Sequence, residues 1–157
     1  MSKTNSKALG GRFEREIAKE LSIWMFNDPH TLKREPTSGA VKNVYTGDIF
    51  PMKQLEWSYF PFHVETKSGY SDHTPTLLNF KIISDWYLKC VEESTIPGNK
   101  QEIILLICNF KGRRGILLIT NKKLNIPYKC ILNISPHIVY CYDYKNMLDY
   151  DFEDVFR

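Results

Sequence analysis

The sequence predicts an α/β fold, a mixed central β-sheet flanked by helices, and three observations carry that expectation. Residues 8–26 and Thr76 to Glu93 repeat apolar side chains every three or four positions, the period of a helix with one buried face. Ile103 to Phe110 is a continuous apolar run, the mark of a strand covered on both faces. The remaining apolar or alternating stretches are short and separated by Gly, Pro, Asn and Asp, as strands and turns are. Helix, strands, helix, strands is not a strict βαβ alternation, so a mixed sheet follows.

The first helix collects Leu9, Phe13, Ile17, Leu21 and Trp24 on one face, and Asn27-Asp28-Pro29 stops it. Thr31 to Arg34 reads as a short strand, and Pro36 to Asn43 as a loop pivoting at Ser38-Gly39. Val44 to Phe50 alternates as a strand would, with Pro51 ending it. Met52 to Tyr59 is an aromatic-rich insertion, Pro61 to Lys67 a second strand, and Ser68 to Pro75 a turn region. The second helix carries Phe80, Ile83, Tyr87 and Val91 on one stripe. After Ile103 to Phe110, Gly112-Arg113-Arg114-Gly115 turns the chain into Ile116 to Thr120, and residues 128–142 suggest one or two more strands.

Composition narrows the class. Across 157 residues, 43% are hydrophobic and 25% charged, which excludes disordered, collagenous and coiled-coil chains. The N-terminal twenty residues hold no signal-type apolar stretch. Ile103 to Cys108 is far short of the roughly 20 residues that span a bilayer. A soluble intracellular protein is expected, cytoplasmic or in a host's cytoplasm if its source is a virus. Cys90, Cys108, Cys130 and Cys141 show no CxxC or Cys-His zinc spacing, so free, buried thiols are expected. Residues 143–157 carry five acids and two bases, leaving +6 on the residues before them. A basic body suits a polyanionic partner, although a solvated surface of mixed charge looks similar.

The chemistry gathers around Phe62-His63-Val64-Glu65-Thr66-Lys67. Alternation puts His63, Glu65 and Lys67 on one face of that strand. Glu-x-Lys arises by chance in a chain this rich in both residues, so its neighbours decide. Asp48 is one of them: Asp is depleted in strand interiors, and Gly47 beside it would let a backbone or ligand approach closely. Two adjacent strands could bring Asp48 and Glu65 together as the oxygen site that Mg²⁺ prefers. Glu14 lies along the apolar side of the first helix, requiring a partner, a metal or a raised pKa, unless its stem reaches water. Glu16 turns toward Arg12 and Lys19 on a solvated face. Lys33, Arg34 and Lys42 flank Ser38-Gly39, either as phosphate contacts or as an ordinary solvated turn.

Four motifs in order, Gly11-Arg12-Phe13-Glu14-Arg15-Glu16, Arg34-Glu35-Pro36-Thr37-Ser38-Gly39-Ala40, Gly47-Asp48-Ile49 and Val64-Glu65-Thr66-Lys67, resemble the PD-(D/E)XK nuclease superfamily. More closely they resemble the archaeal-type Holliday junction resolvases, which also occur in viruses. The resemblance covers roughly residues 8–70. It implies the restriction-endonuclease-like PD-(D/E)XK nuclease fold over residues 1–142; residues 143–157, read as an acidic tail packed on or extending from the same domain, have no clear counterpart in the family. It makes Glu14, Asp48 and Glu65 metal ligands with the Thr66 carbonyl, Lys67 the catalytic lysine and Ser38 a serine near the site. It also implies Mg²⁺, with Mn²⁺ able to substitute, and no small-molecule cofactor or membrane. The partners are a second copy of the chain and branched DNA, a four-way junction cut by paired symmetric nicks leaving 5′-phosphate and 3′-hydroxyl ends. Lys7, Arg12, Arg15, Lys33, Arg34 and Lys42 are the expected DNA contacts. Gly47 stands where the family usually has proline, and the 52–59 insertion lengthens the hairpin. Another PD-(D/E)XK nuclease of repair, nicking or restriction type is the alternative, and a non-catalytic DNA-binding module a more distant one.

Overall fold

A computed structural model of the chain describes residues 3–34, 45–52, 55–57, 59–70, 80–111 and 115–157, the side chains of residues 3–7 excepted. Ser38, Lys42, residues 71–79 with the expected start of the second helix, and the turn residues 112–114 lie outside the described residues, as does the side chain of Lys7.

Seven strands make one sheet in the order β1-β2-β3-β4-β5-β7-β6. They are β1 Leu32–Arg34, β2 Ile49–Pro51, β3 Phe62–Tyr70, β4 Ile103–Phe110, β5 Leu117–Thr120, β6 Cys130–Ile134 and β7 His137–Asp143. The helices are α1 Lys3–Phe26, α2 Phe80–Ser94, α3 Tyr144–Met147 and α4 Phe152–Phe156. β3 and β4 pair in parallel from Phe62↔Ile103 onward, and the other neighbours are antiparallel. A parallel pair needs a crossover connection, and α2 lies within it.

The sheet is covered on both faces, which is why β4 reads as an unbroken apolar run. Leu105 and Ile107 pack with Phe62, Val64 and the α1 residues Phe13, Ile17, Ala18, Leu21 and Met25. Ile104, Leu106 and Cys108 pack with Ile83, Tyr87 and Cys90 of α2. Leu105, Leu106 and Ile107 have no exposed surface, and burying each side chain stabilises the fold by roughly 1.5–3 kcal/mol.

Several expectations change. α1 begins at Lys3, ahead of the expected start at residue 8. The helix spans two glycines, each costing up to about 1 kcal/mol relative to Ala, and the Arg34 guanidinium lies where a Cβ on Gly11 would sit. Leu9 is exposed; Ala18 and Met25 complete the buried face in its place. The strand expected over Val44 to Phe50 is only Ile49–Pro51, because Gly47 at φ +95° breaks the extended backbone. β3 continues through Ser68 to Tyr70 instead of turning after Lys67, since the β4 ladder keeps pairing it as far as Phe110. The cysteines are free, and Cys90, Cys108 and Cys141 are buried, but Cys130 is exposed on β6, the last strand of the sheet.

Residues 143–157 pack against the α1 face. Tyr144, Met147 and Val155 are fully buried there, while Asp149, Asp151, Glu153 and Asp154 remain exposed. Trp24 meets Phe152 edge-on at 5.1 Å, and Trp57 of the insertion stacks on Phe152 at 5.6 Å. The Trp24 indole N–H donates to the Tyr150 carbonyl at 2.7 Å. Among the described residues, no helix is long and apolar enough to cross a membrane.

A cavity at Val155 should therefore cost more than a lost surface charge beside it. Val155→Ala is expected to lower unfolding free energy in urea by roughly 1–3 kcal/mol. Glu153→Gln should stay within about 0.5 kcal/mol of the parent.

Candidate active site

β3 carries the centre of the site. Its fourth residue, within the buried stretch Phe62 to Thr66, is an acid: Glu65 is 7% exposed. Strand alternation puts Lys67 on the same face, and its Nζ donates to Glu65 Oε1 at 2.7 Å. The Trp86 ring of α2 lies 5.9 Å below that ammonium. Burial alone would pull Lys67 down, but the hydrogen bond and charge of Glu65, with Asp48 beyond it, outweigh burial and hold its pKa above the ordinary lysine value. Lys67 is therefore held as a cation in the metal-free site, able to donate to a phosphate oxygen.

Asp48 reaches this face from the loop residue just before β2, not from within a strand. Gly47 makes that possible. A Cβ on it would lie 2.6 Å from the Val64 carbonyl oxygen, and only glycine tolerates both that approach and its positive φ. The Asp48 N–H donates to the same Val64 oxygen at 2.7 Å, and Ile49 pairs with Val64. Asp48 Oδ2 accepts from the Thr66 N–H at 2.8 Å and the Thr66 hydroxyl at 3.1 Å. Burial and then the charge of Glu65 push the Asp48 carboxyl up to about 6, against the pull of the Thr66 bonds and Lys67. Two carboxylates are thus held close at a cost that a cation between them would relieve.

Glu14 joins from α1. Its side chain is 27% exposed and lies 3.6 Å from Arg34 Nη1. Burial first, then the charge of Asp48, raise its pKa, while Arg34, Arg15 and Lys67 lower it. Glu16 is exposed, and its partner is Lys145 of α3 at 3.9 Å instead of Arg12 or Lys19. Glu14, Asp48, Glu65 and Lys67 consequently share one electrostatic neighbourhood, and Glu16 stands outside it. Thr66 is 8% exposed, with its N–H and hydroxyl holding Asp48. Arg12, Arg15 and Lys33 are exposed, whereas Arg34 is half-buried against Glu14 and Gly11.

His63 shares the strand face of Glu65. It is completely buried, where α2 covers this end of the face. Glu93 of α2, 3.7 Å from His63 Nε2, was not singled out by sequence. Nothing in a helical Glu92-Glu93 pair tells which of the two turns toward the sheet.

The raised Asp48 pKa has a sign that can be checked. A group whose pKa is higher folded than unfolded favours folding below the unfolded value and loses that contribution as pH rises through the folded one. Metal-free protein should thus lose stability between about pH 4 and pH 6 through Asp48. At pH 7.5, Asp48→Asn should be more stable than the parent by roughly 1–3 kcal/mol. Denaturant unfolding at pH 4 and pH 7.5 in a chelator measures it, and equal pH dependence in the two proteins would remove the repulsion argument.

No curated protein and no solved structure gives a significant match. The model of the family described as "Phage putative PDDEXK endonuclease" matches residues 5–149, a span that contains both helices packed on the sheet and every residue of the cluster around Glu65. The chain belongs to this PD-(D/E)XK endonuclease family.

Proposed function

We propose that this nuclease resolves four-way DNA junctions as a homodimer, making paired symmetric nicks that leave 5′-phosphate and 3′-hydroxyl ends. The observation that carries the catalytic part is the half-buried Asp48 carboxyl next to the buried Glu65, beside the Lys67 ammonium. The junction part rests on the resolvase resemblance of residues 8–70 and on exposed Arg12, Arg15 and Lys33 around the Glu14 end of the site.

Asp48 and Glu65 would hold Mg²⁺, with Mn²⁺ as a substitute, and Glu14 and the Thr66 carbonyl would complete the set. The donor atoms fit, since hard divalent cations take carboxylate and carbonyl oxygens, and among the described residues Lys67 is the counter-charge that both repelling acids share. Such an ion supplies water activation and stabilises charge on the phosphoryl group. The chain supplies the rest. Thr66 fixes the Asp48 carboxylate through two donors, and Glu65 holds Lys67 in place to neutralise charge developing on a phosphate oxygen. Arg34 restrains Glu14 at the edge nearest the basic residues of α1.

A four-way junction brings backbones together at one point, so two symmetric active sites can each address one strand. Contacts to phosphates position the protein without reading sequence, and junction shape then provides the selectivity.

Cleavage tests the chemistry. Asp48→Asn and Glu65→Gln should bind DNA and lose at least roughly a hundredfold in single-turnover rate with Mg²⁺. Glu14→Gln should be clearly impaired, and Glu16→Gln should remain within about twofold of the parent. Near-parental cleavage by Asp48→Asn or Glu65→Gln would dismiss the active-site assignment.

Binding tests the substrate. In Ca²⁺, to prevent cutting, a junction should bind more tightly than a linear duplex of equal length and as two protein copies. Affinity should fall by roughly 10³–10⁵ between 50 and 200 mM salt if six to ten phosphates are contacted. Equal affinity for both DNAs, or one copy per junction in sedimentation, would leave a nuclease of the repair, nicking or restriction type.

A further inference from the structure

The same strand face holds a second group of ligand-type side chains, two of which, His63 and Glu93, the nuclease chemistry does not use. One donor atom from each of His63, Glu65 and Glu93 lies within 4.8 Å of the others. His63 is fully buried, and its Nε2 is a buried atom with no hydrogen-bond partner among the described residues. It points at Glu93 Oε2 from 3.7 Å, too far for a hydrogen bond.

The surrounding hydrogen bonds leave Nδ1 beside an oxygen that can take its proton. Gln101 Nε2 donates to the carbonyls of Phe62 at 2.7 Å and Thr46 at 3.1 Å, which turns its Oε1 toward Thr46. Asn99 Oδ1 accepts from the Gln101 N–H at 2.8 Å, so its Nδ2 donates to Thr46 Oγ1 at 2.8 Å. The Thr46 hydroxyl has acceptors in Gln101 Oε1 at 3.0 Å and the Glu93 carbonyl at 3.4 Å. With its hydrogen there, Thr46 Oγ1, 2.9 Å from His63 Nδ1, accepts from the ring. In that tautomer Nε2 presents a lone pair to a carboxylate.

Two electron-rich atoms facing each other in a buried site repel unless a cation lies between them. A ring whose second nitrogen is anchored by a hydrogen bond is also the usual arrangement of a metal-bound histidine. Glu93 sits in the last turn of α2, where the helix dipole disfavours an anion. Its other oxygen faces the exposed Lys89 at 3.6 Å. Glu65 keeps capacity for another partner, since a carboxylate with Lys67 on Oε1 still has free lone pairs.

We propose that His63 Nε2, Glu65 and Glu93 form a binding site for a divalent transition-metal ion, of the Zn²⁺ or Mn²⁺ kind, distinct from the Asp48 side of Glu65. One imidazole nitrogen among carboxylates favours such ions over Mg²⁺. The site shares Glu65 with the proposed active centre but does not depend on the junction reading.

The test uses the full chain stripped with a chelator, then titrated with Zn²⁺ or Mn²⁺ alone and again in excess Mg²⁺. Calorimetry counts bound ions, Mn²⁺ resonance reports nitrogen ligation, and thermal melting reports stabilisation. One ion that resists excess Mg²⁺ is expected. Glu93→Gln, at a half-exposed helix end, should weaken it by at least roughly tenfold, and Thr46→Val should weaken it less. Asp48→Asn should retain it within a few-fold. His63→Gln should abolish it, and Glu93→Gln decides the matter if that variant does not fold. No ion retained over Mg²⁺, or an ion lost in Asp48→Asn and kept in Glu93→Gln, overturns the proposal. Cleavage by Asp48→Asn, measured in parallel, would instead overturn the active-site assignment and leave this one standing.

Discussion

An ion pair on a buried strand is the constraint on which this structure depends. Glu65 and Lys67 meet at 2.7 Å on β3, next to the parallel β4 ladder and under α2. Removing either charge from water is costly, and the pair recovers that cost only if the geometry holds and other donors satisfy the remaining lone pairs. The sheet provides that geometry: side chains two apart on a strand share a face, and β4 holds β3 straight from Phe62 to Ser68. Around it the protein arranges Asp48, Glu14, Arg34 and the Thr66 donors, and each responds to the others' charge.

The arrangement favours function at the expense of stability. Asp48 is half-buried next to another acid, and its carboxyl is pushed up to about 6; an apolar or amide side chain would suit folding better. The apolar framework can carry this load because it is concentrated on two other surfaces. The α1 face buries Ile17, Leu21 and Val64 completely, and the last residues of the chain add Tyr144, Met147 and Val155 to the same cluster. The aromatic contacts of Trp24, Trp57 and Phe152 lock the 52–59 insertion to the C-terminal segment. Acids there point outward while the apolar side chains face the sheet, so the segment's net negative charge is a property of its surface alone.

The opposite face is more polar than its apolar strands suggest. Thr46, Asn99 and Gln101 bond one another and His63, and Gln101, at 1% exposure, satisfies two backbone carbonyls. Such fully partnered buried amides define one arrangement of the loop before β2. They also orient His63, whose Nε2 remains without a donor or acceptor among the described residues.

Periodicity and order were legible in the sequence. The α1 stripe, the centre of α2, β4 with both faces covered, and the shared face of Glu65 and Lys67 follow from local spacing, because a helix or strand sets its own repeat. Helical phase also separated Glu14 from Glu16. What lies between elements was decided by tertiary structure. Asp48 owes its place to a glycine against the Val64 backbone and not to strand alternation. Glu14 is held by Arg34 across the gap between α1 and β1, and Glu16 by Lys145 from a distant helix. Leu9 is exposed although it follows the apolar stripe, and the helix runs back to Lys3 through two glycines. Lys67 remains an ammonium because Glu65 outweighs its burial. His63 faces Glu93 because a parallel crossover lays α2 over β3. Spacing along the chain cannot encode any of these, since each depends on which surfaces the sheet order brings into contact.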